Sequence, residues 1–453
     1  MPIIGTLMEN FPHPPKKSQL GLWTTTSLVV GNMVGAGFFL LPAALASYGG
    51  IGLLGWVASG TGALFLAHVF SRLSRLLPKE DGGPYAFTRK GFGDFPGFLV
   101  AWGYWISCWT SNAAITVSLV GSLSSFFPIL ATNALAAVLT GLGAIWILTW
   151  VNTLRIRASG VVQLVTTILK LLPLIAITLC GFFFMHWHHF LPFNRSGNTA
   201  FGAIIACAAL TLYAFLGVEC ATIPAGNIEN PEKTIPRATM LGTGFTTLVY
   251  LFGTMSIMGI LSVHELEHSV TPLADAAVSI WGEHARYWMA AGVAIASLGA
   301  LNGWILIQGQ IAYAIAKDRL FPAVFEKLNK NAVPASGTII SSLLVSLMMV
   351  MNFTKGLVEQ FKFMLLLSTL TCLVPYIFVT AAYVIISMRR EPLSGKSWFR
   401  ILFPASIAFI FSLLAIIGSG EVIVFWGFIL LLAGIPVYVW VLWKNKSKNN
   451  PQR

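Results

Sequence analysis

The sequence predicts an all-α polytopic membrane protein. It should have twelve transmembrane helices, arranged as an inverted five-plus-five-helix repeat with broken helices 1 and 6, followed by two extra helices. Three observations carry this expectation. Of 453 residues 56% are hydrophobic and 10% charged, and the mean hydropathy is +0.77, more apolar surface than a water-soluble chain can hide. Twelve windows reach the roughly 20 apolar residues that a spanning helix needs. The basic residues fall almost wholly in alternate loops.

The windows run 22–47, 51–76, 95–127, 131–152, 160–185, 200–226, 237–262, 285–316, 334–353, 361–387, 399–418 and 421–443. They divide the chain into an N-terminal tail (1–21), a ten-helix transport core (22–388), two additional helices (389–443) and a C-terminal tail (444–453). The first twenty residues hold no continuous apolar run and no small-residue cleavage site, so no signal peptide is expected. With this helix count, Lys16, Lys17, Arg72, Arg75, Lys79, Arg89, Lys90, Arg155, Arg157, Lys233, Arg237, Lys317, Arg319, Lys327, Lys330 and the basic residues from Arg389 onward share one side. Arg195, Arg286, Lys355 and Lys362 lie across the membrane. By the positive-inside rule both termini are cytoplasmic, in a cell inner (plasma) membrane. The net charge of +12, from 28 Lys+Arg against 16 Asp+Glu, is thus an effect of topology and not a nucleic-acid footprint.

Taken in order, the spans differ in how they treat the helix. The first reads SLVVGNMVGAGFFLLP, where Gly31, Gly35 and Gly37 bracket Asn32, Met33 and Ala36. Three glycines in seven residues weaken a helix, and unwound backbone at membrane depth is tolerated only where it lines a cavity. Gly31 and Gly35 also fit ordinary GxxxG packing. The third span, AWGYWISCWTSNAAITVS, sets Tyr104, Cys108, Ser111, Asn112 and Ile115 on one face. Asn112 offers donors and an acceptor without charge, to a polar substrate end or to a neighbouring helix.

The fifth span carries Lys170, too deep for easy snorkelling. It is a candidate for reversible protonation, for a fixed cation in place of a bound Na⁺, or for a lysine reaching a carbonyl. The following loop has His186, His188 and His189 without carboxylate or cysteine partners, read as interfacial and not metal-binding. Cys108, Cys180, Cys207, Cys220 and Cys372 all lie in apolar windows and read as packing residues. The sixth span, TLYAFLGVECATIPAG, repeats the first span's breakage with Gly217, Pro224 and Gly226 around Glu219. Interrupted segments five helices apart are what two inverted halves with a midplane site require. Glu219 is read either as a gating or proton-titrating carboxylate or as an acid holding the break in shape.

The eighth span holds Asn302 and Trp304 in GALNGWILIQGQ; Trp304 sits away from the interfacial belt, where its face could stack on a cation or pack the core. In the tenth span Ser368, Thr369 and Thr371 precede Pro375-Tyr376. No phosphate-binding loop, nucleophile elbow or HExxH occurs, so no enzyme and no cofactor are expected.

The passages GNMVGAGFFLLPAALASYGGI, GGPYAFTRKGFG, YWISCWTSN, LYAFLGVECA with NIENPEKTIPRAT, and NGWILIQGQ with KDRLFP resemble the amino acid–polyamine–organocation superfamily. Within it they are most similar to the basic amino acid/polyamine antiporters, from about Gly21 through the twelfth span. The resemblance implies alternating access, a homodimer, and a site transferred position by position. The N–H groups of Ala36 and Gly37 would take the substrate carboxylate, and carbonyls near Met33, Tyr213 and Leu216 the α-ammonium. Asn112, Ser368 and the carbonyls of Ser107 and Cys108 would meet the side-chain end, with Trp304 stacking on its cation. Asn32 and Ile115 would line the pocket, Tyr104 and Tyr376 would gate it, and Glu219 would be the gating acid. Tyr213 and Ala36 depart from the family's tryptophan gate and serine. Lys170 departs toward the superfamily's proton-coupled permeases, which have lysine in the same LKLLP setting.

The expected function is exchange of a cationic, arginine-like amino acid for its amine or another amino acid. A proton-coupled symporter of broader specificity is the alternative, and an amino acid sensor a remote one. The expected partners are the amino acid or amine substrate, the lipid bilayer and a second copy of the chain.

Overall fold

The computed structural model describes residues 20–449, apart from residues 35, 36, 79, 81, 155–158, 224, 226, 227, 332, 352–354 and 391–394. Ala36, Gly35, Pro224, Gly226 and the basic residues Lys16, Lys17, Lys79, Arg155, Arg157 and Arg453 therefore lie outside the described residues. Eleven helices among the described residues are long and apolar enough to cross a membrane. The shorter apolar helix Ala335–Met351, at about 26 Å of rise, makes the twelfth, at the lower limit for a spanning segment. All twelve coincide with the hydropathic windows to within a few residues, and a single parallel bridge between Leu20 and Ile228 is the one β pairing described.

The packing has the symmetry of two inverted halves. The first span packs on the sixth, the second (Gly52–Leu76) on the seventh (Pro231–Ile260), the third (Asp94–Leu123) on the eighth (His284–Lys317), and the fourth (Ala134–Leu154) on the ninth (Ala335–Met351). The fifth span (Ser159–Gly181) touches the first, seventh and eighth. Correspondingly, the tenth (Leu357–Arg390) touches the sixth, second and third. Adding five to each helix number maps every one of these contacts onto another, as a pseudo-twofold axis in the membrane plane demands.

Burial grades from centre to rim. The apolar window of the third span is 94% buried and that of the twelfth only 22%. Apolar side chains such as Leu347, Phe425, Trp426 and Val439 face outward, as lipid solvation allows. Trp23, Trp187 and Trp443 stand exposed at span ends, where indole rings favour the membrane–water boundary.

A close approach in the core joins the third and tenth spans. Pro375 lacks the N–H that would bond the Thr371 carbonyl, leaving that oxygen free on the helix surface. Gly103 of the third span packs against it: a Cβ there would come within 2.9 Å of Thr371 O. This contact sets Tyr104 and Tyr376, the residues that follow each, at one level. Gly103→Val should therefore push the two helices apart, lowering stability by about 1–3 kcal/mol. The loss would be read as a drop in melting temperature of the detergent-purified protein, with Gly143→Val on the open face of the fourth span, where an added Cβ meets nothing, as the control that stays near wild type.

Candidate functional site

The site is built on two helix ends that stop inside the bilayer. The first span is helical over Leu22–Met33 and again over Gly37–Ala46. The sixth runs Ala200–Leu212, tightens into a 3₁₀ turn over Tyr213–Phe215, becomes extended at Leu216, and resumes as a 3₁₀ turn at Cys220–Thr222. Gly217, at φ +110°, makes the turn that an L side chain resists. A Cβ on it would also meet the Cβ of Asn32 at 3.2 Å, so the two breaks press on each other through a glycine.

A helix end leaves its last carbonyls without intrahelical donors. Two of those on the first span find donors elsewhere: Lys170 Nζ, fully buried, donates to the Gly31 carbonyl, and Tyr250 Oη donates to the Met33 carbonyl at 2.7 Å. Lys170 thus adopts the carbonyl-bound arrangement, one of the three open to it from sequence. In the sixth span the Tyr213 carbonyl accepts from the Leu216 N–H at 3.1 Å. The Met33 and Tyr213 carbonyls each keep one lone pair for a further donor.

Glu219 lies beside the sixth-span break, completely buried. Tyr104 of the third span donates to its Oε1 at 2.5 Å, and Tyr376 of the tenth to its Oε2 at 2.7 Å. The three residues read from sequence as an acid and two gates therefore form one clamp joining the third, sixth and tenth spans. The two hydroxyls come from neighbouring helices, an arrangement that fits an acid holding the break in shape as well as one that gates.

Above the clamp the remaining candidates converge. Ser368 donates to the Ser107 carbonyl at 2.9 Å and lies 3.1 Å from the Ser107 hydroxyl; Thr110 also donates to that carbonyl. Tyr213 Oη meets Ser111 Oγ at 2.9 Å. Asn112 Nδ2 donates to Gln308 Oε1 at 2.8 Å, and Gln308 continues through Ser342 to Thr149. Asn112 Oδ1, by contrast, is a buried acceptor without a donor. Trp304 stands one helical turn before Gln308, and Cys108, Ile115 and Leu216 are buried in the same region. Asn302 points elsewhere, accepting from Asn152 of the fourth span at 2.7 Å. No described candidate side chain exposes more than 8%, so the centre is shut from both sides.

Gln308, Ser342 and Tyr250 were not singled out from sequence. Gln308 stands in the NGWILIQGQ passage at i+4 from Trp304, and that spacing was the available signal; Ser342 and Tyr250 carry none.

A second polar cluster closes the end of the molecule where the second and eighth loops meet. Tyr85 and Arg89, on the short helix Pro84–Phe92, both donate to Asp318 Oδ2, at 2.7 and 2.9 Å, and Arg89 also pairs with Asp94 at 2.7 Å. Burial first, and Asp318 second, hold the Tyr85 phenol well above its usual range, so it remains a donor. At the opposite end His189 meets the Gly259 carbonyl at 2.9 Å, and burial draws its pKa below the ordinary histidine value. No group of three or more His, Cys, Asp or Glu able to hold a metal occurs among the described residues, and all five cysteines are free.

Comparison with known proteins bears on this arrangement. The family model described as amino acid permease matches residues 20–442. A cadaverine/lysine antiporter of Escherichia coli (strain K12) is 34% identical over 340 residues, 74% of this chain and 74% of that protein. An arginine/ornithine antiporter of Pseudomonas aeruginosa is 32% identical over 391 residues, covering 82% and 80%. A putrescine transporter of Haemophilus influenzae is 28% identical over 434 residues, covering 96% and 99%.

The clamp generates a direct test. Tyr104→Phe leaves Glu219 Oε1 without its hydroxyl donor, and the seal toward the Tyr85–Asp318 side should open more often. Labelling of Cys220, the residue after Glu219, by a membrane-impermeant maleimide applied from that side should speed up several-fold over wild type. Unchanged labelling would show that the clamp does not limit access.

Proposed function

The chain belongs to the amino acid permease family, and from that premise we propose that it is an alternating-access exchanger that swaps a cationic, lysine- or arginine-like amino acid for its amine or for a related amino acid. The observation that carries this reading is Asn112. Its amide is fixed by Gln308 on one side, while its buried Oδ1 lacks a donor, a cost that a substrate ammonium or guanidinium would relieve. Trp304 in the same region offers a π face to the same cation. Glu219, the carboxylate nearby among the described residues, has both oxygens committed to tyrosines, so the cation would be met by neutral groups that release it readily. The three relatives are named for lysine, arginine, ornithine, cadaverine and putrescine, all of which carry a cationic ammonium or guanidinium at the end of an aliphatic chain.

The zwitterionic end falls to the broken helices. In this reading Ala36 and Gly37 present N–H groups at a helix start to the carboxylate. The carbonyls of Met33, Tyr213 and Leu216 receive the α-ammonium. Asn32 and Ile115 line the pocket, and Ser107, Cys108 and Ser368 shape its far end. Tyr104, Tyr376 and Glu219 seal the path toward the second and eighth loops. The basic loops put that side, and both termini, in the cytoplasm of a cell inner membrane. The ten spans to residue 388 act as the transport core, and the thinly buried last two are offered as the face of a homodimer.

Lys170 favours a second reading, proton-coupled symport, because its ammonium holds a carbonyl of the broken first span. The antiporter names of the relatives support exchange, in which Lys170 serves as a fixed donor. Uptake of labelled lysine, arginine and neutral amino acids into proteoliposomes separates the two. Exchange requires internal substrate; uptake driven by an imposed proton gradient into empty vesicles would overturn it. Lys170→Met should retain exchange at a reduced rate, whereas proton-driven uptake would vanish. Trp304→Leu should raise KM for cationic substrates about 5- to 30-fold, the worth of a desolvated cation–π contact, and for neutral ones much less. Equal losses for both would remove the stacking role.

A further inference from the structure

Below the Glu219 clamp, toward the side proposed above as cytoplasmic, lies a cavity of about 570 Å³. Ile223, one turn beyond Glu219, forms its inner wall, and Gly82, Tyr85 and Pro334 border it. Its long wall is one stripe of the eighth span: Ile307, Ile311, Ala314 and Asp318 recur at helical spacing. Trp304 stands on that stripe one turn further in, so a single helix face leads from the aromatic of the central site to Asp318, a distance of about 21 Å. Among the described residues that line the cavity, Asp318 is the one carboxylate.

The bonding of Asp318 suits an exchangeable partner. Its side chain is 40% exposed and that of Arg89 36%, so their pair is hydrated and weak. Arg89 holds a second carboxylate, Asp94, at 2.7 Å, so leaving Asp318 does not strand its charge. Tyr85 donates its own hydrogen bond to Asp318 Oδ2 at 2.7 Å, and its hydroxyl also lies 3.3 Å from Arg89 Nη1. Among the described residues of the lining, Lys317 is the other charged one.

We propose that Asp318 is a docking carboxylate for the ammonium or guanidinium end of the cytoplasmic substrate, a site outside the central one, in which the incoming cation takes the place of Arg89. The proposal rests on the cationic-substrate reading of the preceding section. It separates Asp318 from Glu219 by task. Glu219 is fully buried with both oxygens bonded to tyrosine hydroxyls, whereas Asp318 is 40% exposed and paired with a cation that an incoming cation can replace. The site raises the local concentration of cationic substrate at the closed gate and leaves the central pocket free of a tight ion pair.

Everted membrane vesicles, which present the cytoplasmic face, and right-side-out vesicles test this with lysine and a neutral amino acid as probes. Asp318→Asn should raise the KM of lysine at the cytoplasmic face about five-fold, the worth of one exposed charge pair. The neutral probe, and lysine at the opposite face, should shift by less than about two-fold, within that same weak range. Arg89→Gln should leave the cytoplasmic KM of lysine unchanged or lower it, because a competitor is gone. Asp318→Glu should restore wild-type behaviour. If Arg89→Gln instead raises the KM as Asp318→Asn does, or if Asp318→Asn shifts both probes and both faces alike, the pair is a structural latch and the proposal falls. Should the Asn variant not fold, wild type decides: the lysine KM must climb more steeply with ionic strength at the cytoplasmic face than at the other, and equal slopes would overturn the proposal. A wild-type protein that moves the neutral probe but not lysine from either face would instead fail the function proposed above.

Discussion

Backbone at membrane depth has no water to bond, and the rest of this structure depends on how that constraint is met at two broken helices. Ending the first span at Met33 leaves carbonyls that must find donors or cost several kcal/mol each. Lys170 and Tyr250 supply two of them from the fifth and seventh spans, which are therefore bound to the break as firmly as the first span itself. Gly217 lets the sixth span turn against Asn32 at the same level. The breaks in the two halves consequently share one space, which in the proposed reading receives the zwitterionic end of the substrate.

The same constraint explains the clamp. A carboxylate without a cation in a medium of low dielectric survives by hydrogen bonding. Glu219 has two hydroxyl donors, each from a different span. Their positions follow from packing: Gly103 against the carbonyl freed by Pro375 brings the third and tenth spans close enough for Tyr104 and Tyr376 to reach one acid. Near the end of the sixth span's first helix, the Thr211 hydroxyl lies 2.8 Å from Ser59 Oγ and 3.2 Å from the Gly55 carbonyl, both of the second span. Rigid joints between helices are thus concentrated where the chain departs from helix. Movement of the sixth span must break hydroxyl bonds to neighbours on two sides, which suits a small set of discrete states over gradual drift.

Much of the fold was legible before any coordinates. Twelve apolar windows and a charge pattern that alternates by loop leave little freedom, because both signals are summed over many residues. The site was legible in part, through residues whose type contradicts their surroundings: Glu219 and Lys170 as charges in apolar spans, Asn112 and Trp304 as polar or amphipathic groups at midspan, glycines crowded at 31–37. Their partners were not. Gln308 looks like any amide in an apolar run until the third and eighth spans are seen to touch, and Tyr250 until the first span is seen to end beside it. The passages GGPYAFTRKGFG and KDRLFP both stood out, yet nothing local says that Tyr85 and Arg89 of one meet Asp318 of the other across more than two hundred residues. Pairings of this kind are set by topology and not by local sequence.

Few charges remain once the loops are set aside, and their placement separates binding from motion. Lys170 and Glu219 are each fully buried and each bonded to neutral groups, a carbonyl in one case and two hydroxyls in the other. Neither offers a substrate cation a counter-ion, so in the proposed reading the central site holds a cation by Asn112, an aromatic face and carbonyls without the deep well that a buried ion pair would create. An exchanger gains from that shallowness. A well of several kcal/mol in one facing state would have to be matched in the other, and turnover would then wait on release. Charged contacts are instead left at the hydrated mouth, where Arg89, Asp94 and Asp318 pair at exposures that make each bond weak and replaceable. Depth in the membrane therefore sorts the interactions: neutral and buried at the centre, ionic and hydrated at the mouth, the order that release of substrate at the one and its proposed gathering at the other would require.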